Sequence, residues 1–141
     1  DITGITIHYT ATLNTVSVER IAQAQLNTIA DPISGAKFPA IAYTLVVDGQ
    51  GAPHLCHDLA TRCWHSGAIV DGVARNASHV GICWIGNLAP TDAQLLGLKA
   101  AINYVQGQLG RTLLVEGHRD APYPTSCPGP TWPTYRGAII P

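Results

Sequence analysis

Three residues of this sequence, His8, His118 and Cys127, have side chains that bind transition metals or take part in nucleophilic catalysis. Both histidines lie at or just past the ends of predicted strands, where α/β folds build their functional sites. Cys127 follows His118 by nine positions, on a loop that carries the prolines Pro122, Pro124, Pro128 and Pro130. Because proline has few backbone conformations, such a loop holds its side chains in place at a small entropic cost.

Three interpretations of these residues are open at this point. Two imidazoles and a thiolate would give a tetrahedral zinc ion three protein ligands and leave its fourth position for water, which is the ligand count of a catalytic site. Alternatively, Cys127 is a nucleophile with His118 as its base. A cysteine that precedes a proline in a loop, however, lacks the helix N-terminus that often activates a thiolate. The third interpretation is a rigid structural loop without chemistry.

The composition indicates one globular domain with a weakly charged partner. A chain of 141 residues, 46% of them hydrophobic, can bury a core of its own. Only 12% of the residues are charged. The eight Lys and Arg residues are balanced by nine Asp and Glu residues and form no basic cluster, so no nucleic-acid partner is expected.

No apolar run approaches a membrane span, so membrane insertion is not expected either. A chain that begins at Asp1 and has no methionine is typical of a processed or excised domain, and its export route is not visible.

Four cysteines are present: Cys56, Cys63, Cys83 and Cys127. A domain of this size needs no disulfide scaffold. Cys56 and Cys63 allow a disulfide, but a strand and its following loop need not come within bridging distance. Cys83 is predicted to be a core residue.

The predicted elements follow the order β-α-β-β-β-α-β. Residues 4–11 alternate apolar and polar side chains as a half-buried strand does, and the apolar residues of 17–30 recur at helical spacing. A capping box at Thr91–Gln94 opens the strongest helix, which Gly110 ends. Residues 64–79 are predicted to be mostly loop, and the other strands are predicted at Tyr43–Val47, Ala52–His57, His79–Asn87 and 111–118. This order predicts an α/β fold, a single domain over residues 1–141 with a mixed central β-sheet flanked by helices.

Five stretches of the sequence occur in an order that resembles one enzyme family. They are IHYTAT (Ile7–Thr12), AYTLVVDGQG (Ala42–Gly51), WHSGA (Trp64–Ala68), NASHVGICWIGN (Asn76–Asn87) and GHRDAPYPTSCPG (Gly117–Gly129). Together they resemble the zinc-dependent N-acetylmuramoyl-L-alanine amidases of the type-2 family, which includes phage endolysins and peptidoglycan recognition proteins. GHRD followed by CPG is the most specific part, and the resemblance extends over nearly the whole chain.

The resemblance implies this family's fold and a role for six residues. Three of them would be the ligands of one zinc ion per chain: His8, His118 and Cys127. Tyr43 and Thr125 would be catalytic, as hydrogen-bond donors that either stabilise the developing oxyanion or orient the attacking water. The alternatives are an aromatic residue at the edge of the core for Tyr43 and a hydroxyl that stabilises the loop for Thr125. His65 would lie near the substrate groove and bind substrate; the alternative is a buried structural histidine that is hydrogen-bonded to the backbone.

Two positions separate this chain from some relatives. Where relatives often carry a second histidine after the first ligand, this chain has Tyr9, a position that zinc binding does not need. Some cytoplasmic relatives use an aspartate as the third ligand and a glutamate on the strand that here reads VGICWIG. This chain has Cys127 and Cys83 at those places, so it resembles the endolysin and recognition-protein branch, with Tyr43 in the role of the glutamate.

The resemblance also implies an activity and a location. The chain would hydrolyse the amide bond between N-acetylmuramic acid and L-alanine in peptidoglycan, so its partner would be peptidoglycan or a muropeptide. It would act at the bacterial cell wall as a secreted, periplasmic or phage-delivered protein, and we expect a monomer. The alternative is a non-catalytic module that binds muropeptide in the same groove.

Overall fold

The computed structural model describes residues 1–31 and 33–140, which form a five-stranded sheet, two small two-stranded sheets and four α-helices. The strands are β1 (Gly4–Tyr9), β2 (Ile29–Asp31), β3 (Ala36–Lys37), β4 (Leu45–Val47), β5 (Pro53–Leu55), β6 (Ile69–Val70), β7 (Val73–Ala74), β8 (His79–Trp84) and β9 (Leu114–Gly117). The helices are α1 (Val18–Leu26), α2 (Arg75–Ser78), α3 (Asp92–Leu109) and α4 (Trp132–Ile139), with a 3-10 turn at His118–Asp120. Pro32 and Pro141, which the predicted domain includes, lie outside the described residues.

The five-stranded sheet confirms the predicted mixed sheet flanked by helices. Its strand order is β5-β4-β8-β1-β9, in which β4, β8, β1 and β9 run parallel and β5 is antiparallel to β4. β1 lies between β8 and β9, so that Ile7 pairs with Ile82 on one side and with Gly117 on the other. Parallel strands end at the same edge of a sheet, where α/β folds place their sites. The topology therefore brings the ends of β1 and β9 together.

The two faces of this sheet differ in composition. Side chains alternate along each strand, and α3 and α4 pack against the face that we call the apolar face. Its buried side chains come from all the parallel strands and both helices: Ile5, Ile7, Leu45, Val47, Val80, Ile82, Trp84, Leu98, Ile102, Val105, Val115, Trp132, Tyr135 and Ile139. The intervening residues, among them Thr6 and His8, point to the opposite face, which we call the site face. Ile21 of α1 covers part of the site face through Val46 and Cys83.

Helix α3 begins and ends where the sequence predicts. The Thr91 hydroxyl accepts a hydrogen bond from the backbone N–H of Gln94, and the Gln94 side chain accepts one from the backbone N–H of Thr91, which confirms the capping box. The buried Gln94 amide also donates to the backbone carbonyls of Asp48 and Ile85, which ties the helix to the ends of two strands. Gly110 ends the helix in the left-handed conformation, with φ of 65°.

Three segments differ from the prediction. Helix α1 ends at Leu26, because the side chains of Asn27 and Thr28 bond to carbonyls of its last turn and the chain then forms β2 and β3. The segment 64–79 contains the β6–β7 hairpin and the single turn α2. Helix α4 was not predicted, because its apolar pattern covers only two turns directly after a proline-rich loop.

The four cysteines form no disulfide bond in the structure. All four cysteines are free thiols, so Cys56 and Cys63 are not joined. Cys83 is fully buried, which confirms it as a core residue.

In the described part of the chain, none of the helices combines the length and the apolar character that a bilayer crossing requires.

Candidate metal centre

His8 and His118 lie side by side at one edge of the sheet. His8 is the next-to-last residue of β1, and His118 directly follows β9. The parallel pairing of Ile7 with Gly117 places the next residue of each strand opposite the other. The two imidazole ring centroids are therefore only 4.7 Å apart.

The proline-rich loop that follows β9 is held closed by its own hydrogen bonds. The backbone N–H of Arg119 donates to the carbonyl of Cys127 at 2.8 Å. The Asp120 carboxylate accepts hydrogen bonds from the backbone N–H of Gly117 and from the Trp132 indole, both at 2.8 Å. The backbone of Arg119 and the side chain of Asp120 anchor the two ends of this loop. The loop thus returns Cys127 to the sheet edge at which it began.

The loop is also tied to the packing of the apolar face. Tyr135 donates its hydroxyl proton to the carbonyl of Pro128 at 3.0 Å, and the Trp84 indole donates to the Tyr135 oxygen at 3.0 Å. Gly117 permits close packing here, since a Cβ at this position would lie 2.6 Å from the Trp132 ring. The position of the cysteine therefore depends on core residues of β8 and α4.

The three candidate ligands converge on one point. Their donor atoms all lie within 4.8 Å of one another, and Nδ1 of His8 is 3.4 Å from Sγ of Cys127. The ligand atoms of a tetrahedral zinc ion are about 3.3–3.8 Å apart when the bonds measure about 2.0–2.3 Å, so this pair already has a suitable separation. The exposed fractions of His8, His118 and Cys127 are 1%, 9% and 9%. Nε2 of His118 is buried without a hydrogen-bond partner. This donor set fits a divalent metal ion.

Burial sets the protonation of all three side chains. Burial, and to a lesser degree the neighbouring His65 and His118, holds the pKa of His8 well below its ordinary value, and burial also lowers the pKa of His118. Both imidazoles are therefore neutral and have a lone pair for a metal. Burial raises the pKa of the Cys127 thiol to about 12, so the thiol stays protonated at neutral pH unless a cation lies beside it. A coordinated metal ion deprotonates such a thiol.

Tyr43 and Thr125, the two predicted catalytic residues, lie next to the candidate ligands. Tyr43 precedes β4 and is half-buried, with its ring centroid 5.3 Å from that of His8. Burial raises the pKa of Tyr43 well above its ordinary value, so the phenol stays protonated and can donate a hydrogen bond. The Thr125 hydroxyl oxygen accepts a hydrogen bond from the backbone N–H of Cys127 at 3.1 Å. Its own proton is left for another acceptor.

His65 lies behind His8, on the site face. Only 6% of His65 is exposed, and Nδ1 of its ring is 3.0 Å from Nε2 of His8. Its Nε2 is 3.0 Å from the backbone carbonyl oxygen of His79. Burial lowers the pKa of His65 to about 4, so the ring is neutral at physiological pH. The ring also lines the cavity next to the metal centre, where we predicted that it binds substrate.

Sequence reasoning missed Tyr123, which packs directly on a candidate ligand. Its ring lies parallel to that of His118, with centroids 5.2 Å apart and an interplanar angle of 11°. Tyr123 also lines a cavity of about 460 Å³ together with Phe38, Trp64 and Asn76. The sequence offered one signal that could have revealed this packing role: Tyr123 lies between Pro122 and Pro124 of the proline-rich loop.

Solved structures with the same fold include two endolysins and a recognition protein. The endolysin LysCS of Clostridium intestinale has a TM-score of 0.72 at 19% identity, with 99% of this chain and 85% of that chain covered. The endolysin of bacteriophage Ph2119, from Thermus scotoductus, has a TM-score of 0.69 at 18% identity, with coverage of 99% and 86%. The Drosophila peptidoglycan recognition protein PGRP-SA has a TM-score of 0.68 at 22% identity, with coverage of 91% and 73%. Similarity at these identities shows the fold.

The sequence itself matches a protein-family model. A search of curated protein sequences gave no significant match. The model described as N-acetylmuramoyl-L-alanine amidase, in contrast, matches residues 1–130, which include all three candidate ligands. The chain therefore belongs to the type-2 N-acetylmuramoyl-L-alanine amidase family.

Proposed function

We propose that residues 1–141 form an amidase catalytic domain that uses one zinc ion to hydrolyse the amide bond between N-acetylmuramic acid and L-alanine in peptidoglycan. The observation that carries this proposal is the convergence of the donor atoms of His8, His118 and Cys127 within 4.8 Å of one another. Three protein ligands with an open fourth position are typical of catalytic zinc sites, whereas structural sites have four. Family membership supports the same activity.

The chain's own groups would act on the charge that develops during amide hydrolysis. A zinc ion held by the three ligands would lower the pKa of water to about 7 and polarise the amide carbonyl. The protonated phenol of Tyr43 can donate a hydrogen bond to the carbonyl oxygen as that oxygen gains negative charge. Such a donor typically lowers the barrier by about 2.7–4 kcal/mol. The free hydroxyl proton of Thr125 can serve the same oxygen or orient the attacking water.

The cavity beside the metal centre supports a weakly charged substrate. Its walls are largely aromatic, with Phe38, Trp64 and Tyr123, and Asp31 is its single charged residue among those described. Aromatic walls with a few polar groups suit a ligand recognised by shape and hydrogen bonds. We therefore expect peptidoglycan or a muropeptide as the partner, and action at the bacterial cell wall. That the protein is a monomer stays a prediction.

A muropeptide-binding module without catalysis is the second candidate. The similarity of the fold to Drosophila PGRP-SA, a recognition protein by name, favours this alternative. In that case the same cavity would hold the peptide and the bond would remain intact. The complete set of His8, His118 and Cys127, with Tyr43 beside it, supports cleavage, because binding alone requires none of these donors.

The test is the release of new amino termini from purified cell wall. We expect release by the untreated protein, loss of release after chelation, and recovery when zinc is added back. Undiminished activity of the metal-stripped protein would contradict the zinc mechanism. Activity that is insensitive to chelators but lost on alkylation in the presence of zinc would identify Cys127 as a nucleophile. Sedimentation with the cell wall without release would identify a binding module.

A further inference from the structure

Three buried histidines form a line that leads from the metal centre along the site face. Nε2 of His8 is 3.0 Å from Nδ1 of His65, and Nε2 of His65 is 3.0 Å from the backbone carbonyl oxygen of His79. The exposed fraction of His65 is 6%, so neither of these contacts competes with bulk water. Both ring nitrogens of His65 are therefore engaged within the protein.

The carbonyl at the end of this line fixes the direction of both hydrogen bonds. A carbonyl oxygen only accepts, so Nε2 of His65 carries a proton and donates to His79. A neutral imidazole has a single N–H, so Nδ1 of His65 is bare and must accept from Nε2 of His8. The only proton of His8 is then on Nε2. Its Nδ1, which is 3.4 Å from the sulfur of Cys127, keeps the lone pair that a metal requires.

We propose that His65 is a positioning residue that holds His8 in the orientation and tautomer in which Nδ1 binds the metal ion. Histidine ligands generally donate their second ring N–H to a carboxylate, a backbone carbonyl or water, and here a second histidine takes that part. The inference rests on the proposed zinc site and adds to it the residue that prepares one ligand. The prediction that His65 binds substrate is a separate one.

The sheet beneath His65 is shaped to allow this contact. Gly81 lies under the ring, and a Cβ at that position would come within 2.7 Å of Cγ of His65. The imidazole can therefore lie directly on the strand that neighbours β1. His57 offers a matched control, since its Nε2 is 2.8 Å from the carbonyl oxygen of Ile41 and, among the described residues, no hydrogen bond joins it to His8, His118 or Cys127. Like His65, His57 bonds to a backbone carbonyl through Nε2, but it makes no hydrogen bond to His8.

The experiment compares two substitutions of equal size, His65→Asn and His65→Leu. The Asn side chain places an acceptor oxygen near the position of Nδ1, whereas Leu has nearly the same shape and no acceptor. Zinc affinity would be measured by competition with a chromogenic chelator, and folding by circular dichroism. We expect His65→Leu to weaken zinc binding by about 10- to 100-fold, the usual loss when the partner of a metal ligand is removed. His65→Asn and the control His57→Leu should bind zinc nearly as tightly as the unaltered protein.

Long-range proton–nitrogen correlation spectra of the imidazoles provide a second readout in the metal-free protein. We expect His8 to be protonated at Nε2 and bare at Nδ1, with the same pattern in His65. This measurement needs neither a variant nor a bound metal, so it tests the inference even if His65→Leu fails to fold.

Three results would overturn the inference: a proton on Nδ1 of His8, equal zinc affinity of His65→Leu and the unaltered protein, or equal weakening by Leu and Asn. The last result would assign His65 a packing role only. If the unaltered protein binds no zinc, the proposed function fails and His65 prepares no metal ligand, whereas the tautomer measured in the metal-free protein still decides whether His65 sets the protonation of His8.

Discussion

The two faces of the central sheet use the same strands for opposite purposes. On the apolar face, Ile5 and Ile7 of β1 pack with Ile102 of α3 and have no exposed surface. On the site face, the same strand buries Thr6 and His8, which are polar. Burying polar groups costs free energy unless they are hydrogen-bonded, so a folded chain retains them where a further role compensates. The contrast separates residues that stabilise the fold from residues that form the site.

The unpaired polar atoms follow the same division. Among the described residues, the buried side-chain atoms without a hydrogen-bond partner include Oγ1 of Thr6, Nε2 of His79 and Nε2 of His118, all on the site face. The carboxylate of Glu116, which pairs with Thr6 across the sheet, is 3.7 Å from Nε2 of His79 and forms an ion pair with Arg75 at 2.9 Å. The site face is therefore polar around the candidate ligands, although Ile21, Val46 and Cys83 give it an apolar part under α1. We expect a change of metal content or pH to act on the site face, and a change of side-chain volume to act on the apolar face.

The largest effect should come from removing the thiol of Cys127, the proposed thiolate ligand on the site face. We expect Cys127→Ser to weaken zinc binding by more than about 100-fold, since even loss of a partner behind a ligand costs about 10- to 100-fold. Amidase activity at limiting zinc should fall in parallel, as followed by amino-terminus release. The matched control is Cys56→Ser, at a half-buried thiol outside the ligand set. Equal zinc affinity of the two variants would show that Cys127 is no ligand.

A cavity on the apolar face should act on stability and leave the chemistry intact. We expect Ile102→Ala, at a fully buried position of α3, to lower the free energy of unfolding by about 2–5 kcal/mol. Activity per folded molecule should hardly change, because Ile102 belongs to the cluster of the apolar face and the candidate ligands lie on the opposite face. Urea denaturation measures the first quantity and amino-terminus release the second. Leu96→Ala on the same helix, at a position that is 67% exposed, should cost little. If Ile102→Ala lowered activity without lowering stability, the two faces would not have the separate roles that we assign to them.

Tyr43→Phe should lower activity and leave stability intact, which is the reverse of the effect expected for Ile102→Ala. The substitution removes only the hydroxyl, and we expect kcat to fall by a factor that corresponds to about 2.7–4 kcal/mol of barrier. Zinc affinity and the unfolding free energy should stay near those of the unaltered protein, since the ring that packs 5.3 Å from His8 is retained. Unchanged kcat would show that the phenol takes no part in the reaction.

Acid should destabilise the site face through its buried histidines. Burial, with a smaller contribution from Arg75, lowers the pKa of His79 from 6.5 to about 4. Between these values the unfolded chain binds a proton that the folded protein does not, so stability is fully present above pH 6.5 and is lost as the pH falls towards 4. For His79 alone the loss amounts to at most about 3 kcal/mol.

The thermal midpoint of the metal-free protein, measured from pH 7 to pH 4, tests this expectation. His79→Gln should flatten the pH dependence, because glutamine has no proton to bind in this range. Ile102→Ala should lower the midpoint by a similar amount at every pH. Equal slopes for His79→Gln and the unaltered protein would contradict the assignment of acid sensitivity to His79.

The smallest effect should come from Tyr123, which packs on His118 from the cavity side. Stacked aromatic pairs contribute about 0.5–1.5 kcal/mol, so Tyr123→Leu should weaken zinc binding by about 2- to 10-fold. Tyr123→Phe keeps the ring and should bind zinc as the unaltered protein does. Isothermal titration with zinc distinguishes these outcomes. Equal affinity of the Leu and Phe variants would show that the stack does not orient the ligand.

Much of the fold was predictable because its signals are local. Alternation along residues 4–11 predicted β1, and the capping box at Thr91 with the glycine at position 110 predicted α3 within one residue at each end. Helix α4 and the β2–β3 pair were not predicted, since each contains few residues and depends on tertiary contacts. For example, Trp132 and Tyr135 of α4 are buried in one cluster with Trp84 of β8 and with residues of α3, which are far away in the sequence.

The candidate site divides in the same way. The residue types at positions 8, 118 and 127 indicated a metal site, and the resemblance of GHRD followed by CPG indicated which family. No local pattern could show that Tyr123 stacks on His118 or that His65 lies behind His8. His8 and His65 are 57 residues apart in sequence, and His8 and Cys127 are 119 apart.

The sequence by itself determined which side chains could bind a metal ion and where α3 and the main strands lie. It also determined that the loop after β9 is stiffened by prolines. Hydrophobic alternation, capping and proline content act over a few residues, so they can be recognised without a fold. The tertiary structure alone decided which nitrogen of His8 faces the sulfur and which ring supports it from behind. These contacts depend on the order of strands in the sheet, because β1 lies between β8 and β9 only after the chain has folded.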